Sequence, residues 1–505
     1  MFKWERVMSL KILEFETQNS KYIYDGVTGT VMAVDDILLD CIYGYESKGE
    51  EELQQELRKK YQDERRIDAA LAFVKKYSTK AFYVDDEAEK EKWEDSVNVT
   101  GETIQNLLKI GFTQQIILNV TEDCNMRCKY CFLSETYHYT RNRTNKMMSV
   151  ETAKKALDLY FSMMKQYGEI NPGKKCAVTF YGGEPLLNFE VIKWAIEYTK
   201  KNSPIGYMFN ITTNGTLLKG EIADYLVQHN TAITVSLDGC EEEHDRNRLS
   251  AGKKGTYKTV TDNIREFVKK YPSYKKINLS CVYDYCTDLI TNDEFFKENS
   301  DWLPYVGSVS LVSTNGTDYY EQFSEEDIRK FTERFIRFRQ EYAMAVIQNE
   351  KRSSYKDIFF TLQLMPAVLK YGIEDKKLPI VPYTGACFPG MKFSVRTDGK
   401  FDVCEKIEGT RSIGDVDSGF DVEAIAQLVK DYNRNVTAQC GRCPISKQCP
   451  MCYAYAIRNG SFNSPKCDEL VQVFKASLMT QYTILEYNPH ATDNFIYREE
   501  WILNS

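Results

Sequence analysis

The sequence predicts an α/β protein organised around a parallel sheet, and three observations carry that prediction. From residue 111 onward, short β-branched and aromatic runs alternate with longer amphipathic segments, the order that produces strand–helix–strand units. The distinctive motifs follow the carboxyl ends of those runs, where the loops of a parallel sheet gather. The first 85 residues instead place short strands ahead of three helical patterns, which sets them apart as a separate unit.

In chain order, LKILEFE, KYIYD and TVMAV read as strands joined by turns at Gln18-Asn19-Ser20 and Val27-Thr28-Gly29. DDILLDCIYGY, EELQQELRKKY and RRIDAALAFVKKY then read as helices, giving a unit over 1–85. The stretch DDEAEKEKWEDS is charged enough to be a linker or an exposed helix, and 86–110 is assigned as linker. Six strands follow within 111–323: QQIILNV, CAVTFYGG, MFNITTNG, AITVSLDG, INLSCVYD and GSVSLVS. Between the first two, SVETAKKALDLYFSMMK places Ala153, Ala156, Leu157, Tyr160, Phe161 and Met164 on one stripe of a core-facing helix. A helical bridge is expected over 324–380, and a cysteine-dense region with a tail over 381–505.

Composition narrows the function. With 73 acidic and 65 basic residues, a net charge of −8 excludes a broad basic surface for nucleic acid or anionic lipid. Four histidines make a multi-histidine metal site or histidine-based acyl transfer unattractive, so the fifteen cysteines are the residues to follow. The start, MFKWERVMSLKI, lacks a secretory apolar stretch, and no apolar run approaches the roughly 20 residues needed to span a bilayer. A cytoplasmic protein is expected, with its native start at Met1 or Met8, and its cysteines in metal binding, chemistry or the core rather than in disulfides.

The cysteines form two constellations. CNMRCKYC places Cys124, Cys128 and Cys131 on one loop after the first core strand. Three thiolates can hold three corners of a [4Fe-4S] cube and leave one iron open to a small molecule, whereas zinc or a [2Fe-2S] site would want a fourth ligand. After the second strand, Gly182 and Gly183 allow close backbone approach and Glu184 can accept from an ammonium; a plain turn before Pro185 is the bland reading. After the fourth strand, Ser236 and Asp238 offer oxygens to hydroxyls and Arg248 a fork to a carboxylate; a solvated loop is the alternative. Amine, sugar and carboxylate recognition on one rim matches S-adenosylmethionine (SAM). Seven more cysteines lie between residues 387 and 467, among them the run CGRCPISKQCPMC, which is a metal signature with a zinc ribbon as its structural alternative.

TEDCNMRCKYC, YGGEPLLN, TTNG and SLDGCEEEHDRNR, in this order on successive strands, resemble the radical SAM superfamily, in the branch with a C-terminal SPASM domain. That resemblance implies a partial (β/α)6 TIM barrel with a C-terminal iron–sulfur domain. It also implies that Cys124, Cys128 and Cys131 hold the SAM cluster, with Tyr130 by the adenine, Glu184 at the methionyl amine, Ser236 by the ribose and Arg248 at the carboxylate. Tyr181 and Cys240 depart from residues common in relatives. In the SPASM pattern, Cys440, Cys443, Cys449 and Cys467 bind one auxiliary [4Fe-4S] cluster and Cys387, Cys404 and Cys452 another, making three clusters in all. Seven ligands serve two clusters that need eight, so one iron is expected to be open to a substrate thiolate, unless Cys41, Cys176, Cys240, Cys281, Cys286 or water completes the set.

The N-terminal unit resembles the winged-helix-like element of peptide-modifying enzymes that binds a leader peptide as an added strand, and KYIYDGVTGTVMAVDD resembles the start of thioether-forming maturases. The expected function is therefore a radical SAM maturase of the sactipeptide or ranthipeptide type. It would use a 5′-deoxyadenosyl radical to install thioether crosslinks in a ribosomally made cysteine-rich precursor peptide, with a flavodoxin- or ferredoxin-type electron donor. The alternatives are carbon–carbon crosslinking, Cys or Ser oxidation as in sulfatase maturation, and a non-catalytic zinc-bound peptide scaffold.

Overall fold

The computed structural model describes residues 8–109, 113–138, 142–171, 173–314, 316–368, 378–407, 411–458 and 460–491. The first and last residues, including Met1 and the tail from 492, and residues 369–377 of the expected helical bridge lie outside them.

Strands β1 (Met8–Leu10), β2 (Ile12–Glu16), β3 (Lys21–Asp25) and β4 (Thr30–Val34) open the chain. β3 pairs antiparallel with β2 and β4 to make a three-stranded sheet. Helices α1 (Asp36–Gly44), α2 (Glu50–Lys60) and α3 (Glu64–Tyr77) follow. Asp35 and Asp63 cap α1 and α3 through their side chains, and α2 carries three glutamates in its first turn and Arg58, Lys59 and Lys60 in its last, complementing its dipole. These helices bury Ile42, Leu53, Leu57, Ile67 and Val74 with Ile23 of the sheet. β5 (Tyr83–Asp85) returns to pair with β1.

The stretch 86–110, expected as a linker, contains two helices, α4 (Asp86–Val97) and α5 (Gly101–Lys109). Asp85 caps α4, Trp93 Nε1 donates to the Asn433 carbonyl at 3.3 Å, and Ile104 is fully buried. Part of the charge visible in the sequence is itself engaged in docking: Asp86 pairs with Arg442 and Glu89 accepts from Tyr383 Oη at 2.8 Å.

The core alternates as expected: β6 (Gln115–Thr121), α6 (Val150–Ile170), β7 (Cys176–Gly182), α7 (Phe189–Asn202), β8 (Tyr207–Thr213), α8 (Gly220–Gln228), β9 (Ala232–Ser236), α9 (Glu241–Asn247), α10 (Tyr257–Lys270), β10 (Ile277–Tyr283), α11 (Leu289–Glu298) and β11 (Tyr305–Leu311). Strands β6 to β11 lie in sequence order, each parallel to its neighbour. Their carboxyl ends therefore share one rim. Cys176 and Cys281 are buried in this core, and Cys41 in the N-terminal unit, as small apolar side chains.

Helices α12 (Glu325–Ile347), which begins in a Ser324–Asp327 capping box, and α13 (Ser354–Val368) form the bridge. The C-terminal region then rejoins the sheet. β12 (Lys392–Val395) pairs parallel with β6, and β13 (Phe401–Asp402) pairs antiparallel with β12, extending the sheet to eight strands. Asn119 Nδ2 donates to Ser394 Oγ at 2.6 Å across this seam. The hairpin of β14 (Gly414–Asp415) and β15 (Gly419–Phe420), helices α14 (Val422–Val436) and α15 (Tyr453–Ala456), the hairpin of β16 (Ile457–Arg458) and β17 (Ser461–Phe462), and α16 (Cys467–Tyr487) complete the chain. Among the described residues no helix is long and apolar enough to cross a membrane.

Tyr160 of α6 stitches the helix layer to the sheet: its hydroxyl donates to the Gln114 carbonyl (2.9 Å) and accepts from Ala177 N–H (3.0 Å). Tyr160→Phe keeps the ring and leaves both backbone groups short of a partner, so a loss of about 1–3 kcal/mol is expected in urea unfolding. An unchanged midpoint would show that water replaces the hydroxyl.

Candidate functional site

The loop after β6 is laid across the segment following α9. Arg127 N–H donates to the Leu249 carbonyl (2.6 Å) and Lys129 N–H to that of Asn247 (3.0 Å). This fixes the backbone on which Cys124, Cys128 and Cys131 stand. Met126 N–H donates to Cys124 Sγ at 3.4 Å, and Asn214 Nδ2 lies 3.8 Å from the same sulfur. Burial pushes the Cys124 thiol up to about 11 and Cys128 up to about 12; each also feels the Cys131 sulfur, while Arg248 pulls both the other way. The three thiols thus lie within electrostatic range of one another, and the Arg248 guanidinium is felt at Cys124 and Cys128.

Gly182 and Gly183 are required by close approach. A Cβ on Gly182, which has φ +134°, would meet the Thr121 carbonyl at 2.2 Å, and one on Gly183 would meet the Asp123 carbonyl at 2.1 Å and Cys124 Cβ at 3.2 Å. Tyr181, unusual for the motif, stacks against Phe132 beside Cys131, with ring centroids 6.5 Å apart. Glu184 is fully buried: Oε1 accepts from Thr213 Oγ1 (2.7 Å) and Leu186 N–H (3.1 Å), and Oε2 from Asn214 N–H (2.7 Å). Burial raises its pKa while these donors and Arg248 lower it. Three donors leave the carboxylate one of about four acceptor positions, enough for one further N–H.

Buried Asp238 and Arg248 form a chain through half-buried Tyr130. Tyr130 Oη donates to Asp238 Oδ2 (2.5 Å) and accepts from Arg248 Nη1 (2.7 Å), while Asp238 Oδ1 accepts from Val282 N–H (3.2 Å). Arg248 is 6% exposed, and its Nε is buried with no hydrogen-bond partner. His244 supports this chain from behind. Asp238 N–H points at its Nδ1 (3.4 Å), so Nε2 donates to Thr256 Oγ1 (3.1 Å), which donates to the Arg248 carbonyl (2.7 Å). Burial, with Arg248 nearby, holds this imidazole neutral. Ser236 ends β9 in register with Ser280 of β10.

Sequence reasoning missed four neighbours. Asn214 lies in the quoted TTNG motif, whose polar residue after a strand was the available signal. It donates to Asn125 Oδ1 (2.8 Å) as well as facing Cys124. Asp284, at the end of β10, accepts from Arg246 Nη1 (2.7 Å), Asn247 Nδ2 (3.0 Å) and Tyr319 Oη (2.6 Å). Burial opposes its ionisation, yet Arg246 and Tyr319 hold its carboxyl below the usual range. The Tyr319 ring then meets Tyr130 edge-on at 6.4 Å. Nothing local in the sequence marks Tyr319, and Arg246, though inside the quoted SLDGCEEEHDRNR, takes its role from contacts across the rim.

The C-terminal thiols fall into two neighbourhoods. Cys440 is raised by burial and then by the sulfurs of Cys443, Cys449 and Cys467. Cys387 and Cys404 are each raised by burial and each feel Cys452, with the Lys392 ammonium pulling against it. Buried Tyr432 lies within range of Cys452, Cys449 and Cys440 and so sits between the two sets. Among the described residues no group of three or more His, Cys, Asp or Glu side chains is arranged to hold a metal ion. What fits an iron–sulfur cluster and SAM is the chemistry of the donors: three thiols from one loop, a buried guanidinium nitrogen with no partner facing them, and a buried carboxylate with one acceptor position left.

Residues 118–285 match the model of the Radical SAM superfamily, so fold and site together define this segment as a radical SAM domain, a family that uses SAM and a [4Fe-4S] cluster. Over 224 residues the chain is 24% identical to the radical SAM cyclopropyl synthase TigE of Paramaledivibacter caminithermalis, covering 42% of this chain and 44% of that protein. It is 29% identical over 153 residues to a cysteine-type anaerobic sulfatase-maturating enzyme of Clostridium novyi, covering 30% and 39%. The chain spans less than half the length of these curated relatives. In fold it is similar to native anSMEcpe with bound AdoMet and Cp18Cys peptide, with a TM-score of 0.54, 20% identity, and coverage of 75% of this chain and 98% of that one.

Gly183→Ala tests the close approach directly. Backbone on both sides cannot yield cheaply, so reconstituted protein should hold less iron per chain than wild type while its far-ultraviolet dichroism is retained. Wild-type iron content would show that the loop relaxes around a methyl group.

Proposed function

We propose that the chain is a radical SAM peptide maturase that joins cysteine sulfur to carbon in a ribosomally made, cysteine-rich precursor peptide. The observation that carries this reading is the division of the C-terminal thiols into a set of four around Cys440 and a set of three, Cys387, Cys404 and Cys452. A cluster held by those three thiols would leave one iron position for a substrate thiolate. Cys124, Cys128 and Cys131 would hold the first cluster, Glu184 the methionyl amine, Arg248 the carboxylate, and Tyr130 and Ser236 the adenine and ribose; Gly182 and Gly183 bring the strand end against the cluster loop. When bound, SAM and its reduced cluster supply hydrogen-atom abstraction, and the auxiliary clusters supply sulfur binding and an electron acceptor. The chain's own residues orient and exclude. Asp238 and Arg248 fix the Tyr130 hydroxyl from opposite sides, neutral His244 positions the Arg248 backbone, and the Asp284–Tyr319 pair holds the Tyr130 ring from its edge.

In this reading 1–85 is the leader-binding unit, 111–323 a partial barrel, and 381–505 the SPASM domain of a cytoplasmic enzyme served by a flavodoxin- or ferredoxin-type donor. The leader would add to β4, which among the described residues pairs with β3 alone. The similarity to sulfatase-maturating enzymes favours a second reading, oxidation of a peptide Cys or Ser.

The deciding experiment incubates reconstituted full chain anaerobically with SAM, a reductant and a short cysteine-rich peptide encoded beside it, following 5′-deoxyadenosine and peptide mass together. Loss of two hydrogens per crosslink with the cysteines closed to alkylation supports thioether formation; the same loss with cysteines still reactive points to carbon–carbon bonds. No deoxyadenosine from iron-loaded protein overturns the radical SAM reading.

Arg248→Gln removes the charge facing the cluster loop and one partner of Tyr130. SAM affinity measured by calorimetry should fall at least about tenfold, in line with the loss of a charge-assisted hydrogen bond. Unaltered affinity would place the carboxylate elsewhere.

A further inference from the structure

Lys11, between β1 and β2, is 3% exposed. Its backbone is fixed on both sides: its N–H donates to the Phe82 carbonyl (2.7 Å), and its carbonyl accepts from Gly26 N–H (2.8 Å). Gly26 in turn lies against the cysteine-bearing loop, where a Cβ would stand 2.3 Å from the Pro444 carbonyl oxygen. Lys447 Nζ closes the same contact by donating to the Val27 carbonyl (2.7 Å). On the other side of the loop, Arg442 forks onto Asp86 (2.9 and 2.6 Å), and Gly441 packs against Glu89. The segment carrying Cys440 and Cys443 is thus clamped by the N-terminal unit and α4.

The ammonium of Lys11 is buried within this clamp. Burial depresses its pKa; the groups facing it are the Glu89 carboxylate, the Lys92 and Lys447 ammoniums and the Cys443 sulfur, and its charge is felt at both Cys440 and Cys443. Glu89 is already engaged by Tyr383 Oη (2.8 Å). A buried ammonium is costly unless an opposite charge faces it, and four thiols become thiolates when they ligate a cluster.

We propose that Lys11 is a positioning residue, the built-in counter-charge of the cluster held by Cys440, Cys443, Cys449 and Cys467, which makes seating of the N-terminal unit depend on that cluster being loaded. This rests on the cluster assignment made under Proposed function. Two consequences follow from the charge. A fixed positive charge favours the reduced cluster, and loading strengthens the docking of the unit that supplies that charge. An enzyme lacking this cluster would hold its peptide-binding unit loosely and so would not deliver a peptide to an incomplete site.

The test uses reconstituted full chain carrying Cys124→Ala, Cys128→Ala and Cys131→Ala, so that only the C-terminal thiols bind iron, with Lys11 intact, Lys11→Met or Lys11→Arg. Iron per chain, paramagnetic-resonance redox titration, and hydrogen exchange over residues 8–34 with and without iron are read. With Lys11→Met, one cluster should show at least a tenfold lower reduced-to-oxidised ratio at a fixed poise, about 59 mV for one electron. The iron-dependent protection of 8–34 should be lost as well. Lys11→Arg should retain both. Equal iron with unmoved potentials in Lys11→Met overturns the proposal, as does a Lys11→Arg shift matching that of Lys11→Met, which would mark a steric role. Absence of iron from the parent protein would instead overturn the cluster assignment itself, and the proposal with it.

Discussion

β6 is hydrogen-bonded along both edges, to β7 on one side and to β12 on the other, and the rest of the molecule depends on that double pairing. Its carboxyl end delivers the Cys124–Cys131 loop; β7 delivers Gly182 to Glu184 beside it; β12 and β13 lead into Cys404. Both pairings run through a strand buried on both faces, so a one-residue slip would carry Asn119 and Thr121 into the places of the fully buried Ile116, Leu118 and Val120. The one irregularity, a bulge between Asn119 and Thr121, falls where the strand hands over to the cysteine loop. Thr397 Oγ1 and Thr144 Oγ1 each donate at 2.6 Å to the buried Glu122 just beyond it, tying the loop's root to the C-terminal region as well as to the core.

Within that frame, electrostatics is organised by burial. Asp238, Glu184 and Arg248 are withdrawn from water, with half-buried Tyr130 bridging Asp238 and Arg248, and the Arg248 Nε has no acceptor. A cationic group set this way beside thiols and a carboxylate with one free acceptor position favours a ligand that is anionic at one end and cationic at the other. The neighbouring Asp284 cluster differs in kind: both oxygens of its carboxylate receive protein donors, from Arg246, Asn247 and Tyr319 on one and from Cys286 N–H and Thr287 on the other, so it braces the Tyr130 ring rather than presenting an open partner.

The six core strands and the residues of the rim were legible because each motif is local: a strand's alternation followed by a short polar or cysteine-rich string. The packing of α4 and α5 was not, since their charged composition masks a few docked residues such as Trp93 and Ile104. Nor was the entry of β12 into the sheet, because KFSV is four residues long and its pairing with β6 is set by contacts across more than half the chain. The roles of Arg246 and Tyr319 were invisible for the same reason. Their meaning comes from Asp284, and only the folded rim brings them to it.

The chain's two ends meet in a way that bears on how a peptide would be presented. Phe15 and Tyr24, on the face of the N-terminal sheet opposite its helices, pack with Ile445, Phe474 and Leu478. Glu486 at the end of α16 accepts from Thr17 Oγ1 (2.6 Å), Tyr22 Oη (2.8 Å) and Asn19 Nδ2 (2.9 Å). The sheet is therefore held on this face by both the cysteine-bearing loop and the helix that begins at Cys467, and β4 lies at its edge among the described residues. A strand added there would not swing on a tether. For a leader bound as proposed, reach to the rim would be set by the peptide's own length beyond β4.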